Sequence, residues 1–97
     1  MAKLAVVATI KTVAGKRAEY LKHLNAHAQR CRATEPGTLV FEILLPQAEA
    51  DTVMLYEVYA SSEAFDAHLT SASIQQMRRD ASGLQVSLNG VRCDLTE

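Results

Sequence analysis

Ninety-seven residues, 48% of them hydrophobic and 22% charged, fit one domain spanning 1–97 and exclude disorder and collagen-like repetition. A net charge of −1 offers no basic field for phosphates, so nucleic acid is not an expected partner. With two Phe, three Tyr and no Trp, any pocket must be walled mostly by small apolar side chains.

Leu4 to Val13 (LAVVATIKTV) is rich in β-branched residues and predicts a strand, buried on both faces at its start. The apolar run Leu4 to Ile10 is too short to span a membrane, and no cleavage site follows. A cytoplasmic protein without a membrane partner is the expectation. Gly15 breaks the strand pattern. From Lys16 to about Thr34, Tyr20, Leu21, Leu24, Ala28 and Cys31 form one apolar stripe at helical spacing, with Lys16, Glu19, His23 and Arg30 opposite. Glu35-Pro36-Gly37 ends this helix, because proline disfavours helical geometry before it and glycine supplies a turn.

Thr38 to Leu45 alternates as a second strand, and Thr52 to Ala60 (TVMLYEVYA) is a third of high β-propensity. The short connection Pro46 to Asp51 makes the two antiparallel. Ser61 or Ser62 caps a second helix whose Phe65, His68, Leu69 and Ala72 share a face. After Ser73 the apolar side moves to Ile74, Met77 and Ala81, which predicts an interrupted or bent helix closed by Gly83. Gln85 to Leu95 is the last strand; its apolar phase changes at Asn89-Gly90, where a β-bulge is preferred to a hairpin turn.

The order strand, helix, strand, strand, helix, strand predicts an α+β, ferredoxin-like βαββαβ fold: a four-stranded antiparallel sheet with both helices on one face. Val7 and Leu4 cannot both face helices, nor can Phe41 and Leu44. The uncovered face therefore calls for a second copy of the chain, and a homodimer is expected.

His68 lies at the edge of the second helix's apolar stripe, a few residues after Tyr56, Glu57 and Tyr59. An imidazole there can act as a general base, or simply make one hydrogen bond at a partly exposed position. Glu57 stands in an otherwise apolar strand and must be paired or protonated: with Arg78 or Lys11 in a structural role, or with an imidazole in a functional one. His23 and His27 are four apart, a metal-compatible spacing without an evident third ligand. Asn25 and His27, at opposite edges of the first helix's stripe, can reach a pocket. Cys31 and Cys93 form no CxxC pair and read as small buried hydrophobes in a reducing compartment. There is no phosphate-cradling glycine loop.

Taken together, Ala33-Thr34-Glu35-Pro36-Gly37-Thr38-Leu39, Phe41-Glu42, Leu55-Tyr56-Glu57-Val58-Tyr59 and Ser62-Glu63-Ala64-Phe65-Asp66-Ala67-His68-Leu69 make the chain resemble the antibiotic biosynthesis monooxygenase domain family over nearly its whole length. The resemblance implies a dimeric α+β barrel. Members include cofactor-independent oxygenases of polycyclic phenols, quinol oxygenases, haem-degrading enzymes and an isomerase of a small phosphorylated sugar. Haem-degrading relatives carry a Trp and a second helical His, which this sequence lacks. Isomerase-like relatives follow the helical histidine with a Pro-His segment, where this chain has Ser71-Ala72-Ser73.

The expected activity is cofactor-free monooxygenation of a small quinol- or anthrone-like substrate. His68 is then the proton acceptor, Glu57 orients it, and Tyr56, Tyr59, Phe65, Asn25 and His27 line the substrate pocket. No cofactor or metal is expected. The alternatives are isomerisation of a small, phosphorylated hydroxy-ketone by the same His68, with Arg78 and Arg79 as anion anchors, and a non-catalytic small-molecule-binding dimer.

Overall fold

The computed structural model describes residues 2–96; Met1 and Glu97, the ends of the expected 1–97 domain, lie outside the described residues. β1 (Leu4–Thr12) and β3 (Thr52–Tyr59) are the central strands of an antiparallel sheet, with β2 (Thr38–Leu44) and β4 (Gln85–Asp94) at its edges in the order β2-β3-β1-β4. This is the expected ferredoxin-like arrangement.

One face of the sheet carries Val6, Ala8 and Ile10 of β1, Phe41 of β2 and Leu55 and Glu57 of β3, which the pairing register holds in line. α1 (Arg17–Thr34) buries Tyr20, Leu24, His27, Ala28 and Cys31 toward it, so the predicted apolar stripe is the core contact. Burial removes these side chains from water at about 25 cal/mol per Å² of apolar surface, the main force holding α1 down.

The second helical region is divided as its moving apolar face predicts. α2 (Ser62–Leu69) ends at Thr70 and α3 (Ala72–Asp80) begins immediately afterwards. Each has its own serine cap: Ser61 Oγ accepts from the Ala64 amide at 3.1 Å, and Ser71 Oγ from the Ile74 amide at 3.2 Å. The break lets α2 bury Phe65 and His68 while α3 turns Met77 inward.

β4 corrects one expectation. Asn89 and Gly90 pair in unbroken register with Thr9 and Ala8, and the register shift lies at Val86, between the pairs Lys11–Ser87 and Thr12–Gln85. There is neither a bulge nor a hairpin at Asn89-Gly90. The sequence changes apolar phase there because both faces of the strand carry apolar residues: Leu88 lies on the helix side, whereas Val91 and Cys93 share the opposite face with Val7 and Ala5. Cys93 is only half-buried, so just one cysteine, Cys31, fits the buried-hydrophobe reading; both thiols are free.

On the face away from the helices, Val7, Leu44 and Val91 are exposed, at 36%, 49% and 54%. Among the described residues no helix is long and apolar enough to cross a membrane.

Candidate active site

The helix stop at Glu35-Pro36-Gly37 does more than end α1. Glu35 is the C-cap, with extended backbone and its N–H donating to the Cys31 carbonyl at 3.0 Å. The turn then runs against α2. The Gly37 carbonyl accepts from the Ala60 N–H at 2.8 Å, and a Cβ on Gly37 would fall 2.6 Å from the Ala64 Cβ. Glycine thus permits an approach that a larger residue would block. The same approach brings the Glu35 side chain to the last turn of α2, where Glu35 Oε1 lies 2.7 Å from His68 Nδ1.

His68 is buried, 4% exposed, and its ring is surrounded by those of Tyr59, His27 and Phe65 at centroid distances of 5.4, 5.6 and 6.2 Å. With Nδ1–H donating to Glu35, Nε2 is left with the lone pair. Burial alone would raise the Glu35 carboxyl. The adjoining imidazole of His68, aided by nearby Ser71 and Ser73, instead brings it below the ordinary carboxylate value. Glu35 is therefore an anion at neutral pH, the state needed to hold an imidazolium.

His68 and His27 both contribute to the wall of a cavity of about 400 Å³ between the sheet and the helices. Phe41, Leu55 and Phe65 supply apolar surface, Glu57 a buried polar point and Arg78 a cation, with Gly90 leaving space on the β4 side. Tyr59 Oη donates to Glu57 Oε1. Burial raises the Glu57 carboxyl, against the opposing effect of that hydrogen bond. Burial and then Glu57 raise the Tyr59 hydroxyl. His27, 2% exposed, donates through Nδ1–H to the Ser73 carbonyl at 3.2 Å; burial, then His68 and Arg30, lower it to about 4. Cys31, beneath both histidines, is pushed up to about 12 by burial and by Glu35.

The residues singled out in the sequence are only partly brought together. His68, His27, Phe65 and Glu57 meet at the cavity. Glu57 does not orient His68 by contact and is not paired with Arg78 or Lys11. Tyr59 holds its carboxyl, Lys11 bonds to Thr52 and Glu49, and the place beside the imidazole belongs to Glu35. Tyr59 lies beneath the wall rather than in it, fully buried against Phe65 and His68. Tyr56 pairs with Val7 and Glu42 and shares their face, opposite the cavity. Asn25 is exposed on α1 and does not line the cavity. A one-residue change of strand phase separates Tyr56 from the wall, and a small helical rotation separates Asn25 from it.

Sequence reasoning passed over Glu35, which reads locally as a helix stop. Its signal is the spacing His27, Cys31, Glu35, which sets two chemically active side chains on one side of α1 and a third at its C-cap, four residues apart.

Fold and site define a ferredoxin-like α+β domain with a histidine in the wall of an apolar cavity and a carboxylate, Glu35, bonded to that histidine from outside the lining. The sequence profile of the family described as antibiotic biosynthesis monooxygenase matches residues 3–80, and the chain belongs to that family. No curated protein is detectably similar in sequence. A solved structure of a candidate antibiotic biosynthesis monooxygenase from Caulobacter crescentus is similar at 26% identity and a TM-score of 0.91, covering 99% of this chain and 92% of that one. A second candidate monooxygenase, from Chloroflexus aurantiacus, is 19% identical with a TM-score of 0.85, covering 98% and 94% of the two chains. A Pseudomonas aeruginosa protein is 16% identical with a TM-score of 0.90, covering 100% and 97%. The latter two likenesses concern the fold alone.

Proposed function

We propose that the protein is a cofactor-independent monooxygenase of a small, electron-rich phenol or enol, in which His68 is the proton acceptor and Glu35 its positioning partner. The observation that carries this reading is that His68, in the wall of an apolar cavity, is held at 2.7 Å by the Glu35 carboxylate from outside the lining. An un-ionised phenol is a poor electron donor to dioxygen, whereas its anion is a good one. Proton transfer to Nε2 of His68 makes the anion, and the Glu35 carboxylate stabilises the resulting imidazolium through Nδ1–H. The aromatic and aliphatic wall excludes water while the anion passes an electron to dioxygen. Recombination at carbon forms a hydroperoxide. Its collapse converts the oxygenated ring carbon, a C–H in the phenol and a CH₂ in its keto tautomer, to C=O, with the second oxygen atom leaving as water. Arg78 at the cavity provides a cation for the substrate oxyanion.

The homodimer belongs to the same proposal. Val7, Leu44 and Val91 form an apolar set on the helix-free face, suited to a second sheet.

Arg78 also supports a second reading, isomerisation of an anionic hydroxy-ketone by proton movement through His68. An oxygen electrode separates the two. With a panel of dihydroxynaphthalenes and anthrones, oxygen uptake is expected from the wild type and a loss of about 10²–10⁴-fold from His68→Gln. Uptake unchanged in His68→Gln, or deuterium incorporation into a hydroxy-ketone without oxygen consumption, would overturn the oxygenase reading.

A further inference from the structure

Beneath the cavity wall, α1 and α2 bring three metal-ligating side chains together, all buried: His27, Cys31 and His68, whose donor atoms lie within 4.8 Å of one another. We infer that this cluster of three ligands, with the Glu35 carboxylate beside His68 and a fourth position left to solvent, is a binding site for a tetrahedral thiophilic divalent cation of the zinc class. The inference stands on the cluster's geometry and does not depend on the oxygenase reading.

The distances fit such an ion. Zinc bonds of about 2.3 Å to sulfur and about 2.0–2.1 Å to nitrogen set a tetrahedral S···N edge of about 3.6 Å. Cys31 Sγ lies 3.5 Å from His27 Nε2 and 3.8 Å from His68 Nδ1. The supporting contacts fit as well. His27 donates Nδ1–H to the Ser73 carbonyl at 3.2 Å, which leaves Nε2 with the lone pair; Cys31 Sγ stands beside the ring, 3.8 Å from Nδ1 and 3.5 Å from Nε2, so the imidazole has to tilt to bring that lone pair onto the ion. A backbone carbonyl on the far ring nitrogen is the usual way a ligating imidazole is fixed in tautomer and orientation. Glu35 approaches through Oε1, while its other oxygen, Oε2, is buried without a hydrogen-bond partner. A buried carboxylate oxygen with no donor is costly to leave alone, and a cation satisfies it.

Charge closes the argument. Two neutral imidazoles and one thiolate bring −1 to a +2 ion, and the Glu35 carboxylate beside His68 offsets the remaining charge, against the nearby Arg30 guanidinium. On binding, the Cys31 thiol gives its proton to solvent, and His68 moves its proton from Nδ1 to Nε2 as Nδ1 takes the metal. The Nδ1–H bond from His68 to Glu35 is given up when Nδ1 takes the metal. The cation reaches the cluster through the cavity that His27 and His68 line. Because a metallated His68 carries its proton on Nε2, the metal and a substrate proton compete for one imidazole.

Cobalt(II) is the probe, added to reduced protein freed of metal by a chelator. The expected result is the strong visible colour of tetrahedral cobalt with a near-ultraviolet thiolate-to-cobalt charge-transfer band, bleached by stoichiometric Zn²⁺. Cys93→Ser should keep both features. Cys31→Ser should lose the charge-transfer band and bind Zn²⁺ more weakly by over the roughly 10–100-fold that loss of an outer supporting contact costs. A pale octahedral spectrum from wild-type protein whose circular dichroism is native would overturn the assignment. So would a charge-transfer band that disappears in Cys93→Ser. Neither result bears on oxygen uptake by the metal-free protein, which is measured separately.

Discussion

Glu35 Oε1 stands 2.7 Å from His68 Nδ1 across thirty-three residues of sequence, and the contact joins the end of α1 to the end of α2. The carboxylate fixes which ring nitrogen carries the proton. Replacing it with an amide removes the anion but retains the size. Glu35→Gln is therefore expected to lower kcat/KM for oxygen uptake by at least about 10-fold, within the about 10²–10⁴-fold assigned to the base itself. Steady-state rates on an oxygen electrode check it, and an unchanged value would remove Glu35 from the mechanism.

Glu57 has a different character, and its stability profile should reveal it. Its buried carboxyl titrates above the value of 4.5 that it has in water, so the folded state holds the proton more tightly than the unfolded state does. That contribution is fully present below pH 4.5 and is lost as pH rises toward the folded-state value. The groups facing Glu57 are Tyr59, His68 and Glu35, and the first donates to it whether or not it is ionised. Glu57→Gln keeps an acceptor for the Tyr59 hydroxyl and cannot ionise. In urea melts its stability relative to the wild type is expected to increase from pH 4.5 to pH 7. A constant difference across that range would show that Glu57 is ionised in the fold.

Gly37 controls the approach of the two helix ends. In Gly37→Ala the new methyl would meet the Ala64 Cβ at 2.6 Å, so α2 must retreat. Overpacking of this kind costs about 1–3 kcal/mol, and the retreat also lengthens the Glu35–His68 contact. Both effects are expected together: a lower urea midpoint and slower oxygen uptake. A second change, Ala64→Gly, removes the obstructing methyl and should restore both.

The helix-free sheet face carries the dimer prediction. Val7 and Val91 pair across β1 and β4 and are 36% and 54% exposed in the single chain. Burying like charges between two sheets without a partner is prohibitive, so Val7→Asp combined with Val91→Asp should give a monomer in equilibrium sedimentation, where a dimer is expected of the wild type. A wild-type monomer at micromolar concentration would contradict the proposal.

The fold was legible where a local rule and the tertiary packing agree. The Tyr20-Leu24-Ala28-Cys31 stripe is both the helical period and the core contact, and the shift from Phe65 and His68 to Met77 marks the break between α2 and α3. Asn89-Gly90 misled because a turn-forming dipeptide sits in regular register, its glycine lining the cavity while the extra residue is Val86. Site residues were harder to read. His68 was visible from its polar character on an apolar stripe. Its partner was not, because Glu35 has a sufficient local explanation as a helix stop and meets His68 only through the close pass of Gly37 under Ala64. Glu57 filled that vacancy in the sequence reading. It is the carboxylate nearest His68 in strand phase, but Tyr59 takes it first.

Whether His68 takes a proton from a bound phenol can be observed without turnover. A dihydroxynaphthalene mixed anaerobically with metal-free protein near neutral pH should show the red-shifted absorption of its phenolate when bound to the wild type. Bound to His68→Gln, it should keep the spectrum of the neutral phenol. Neutral phenol in both proteins, or phenolate in both, would contradict the account.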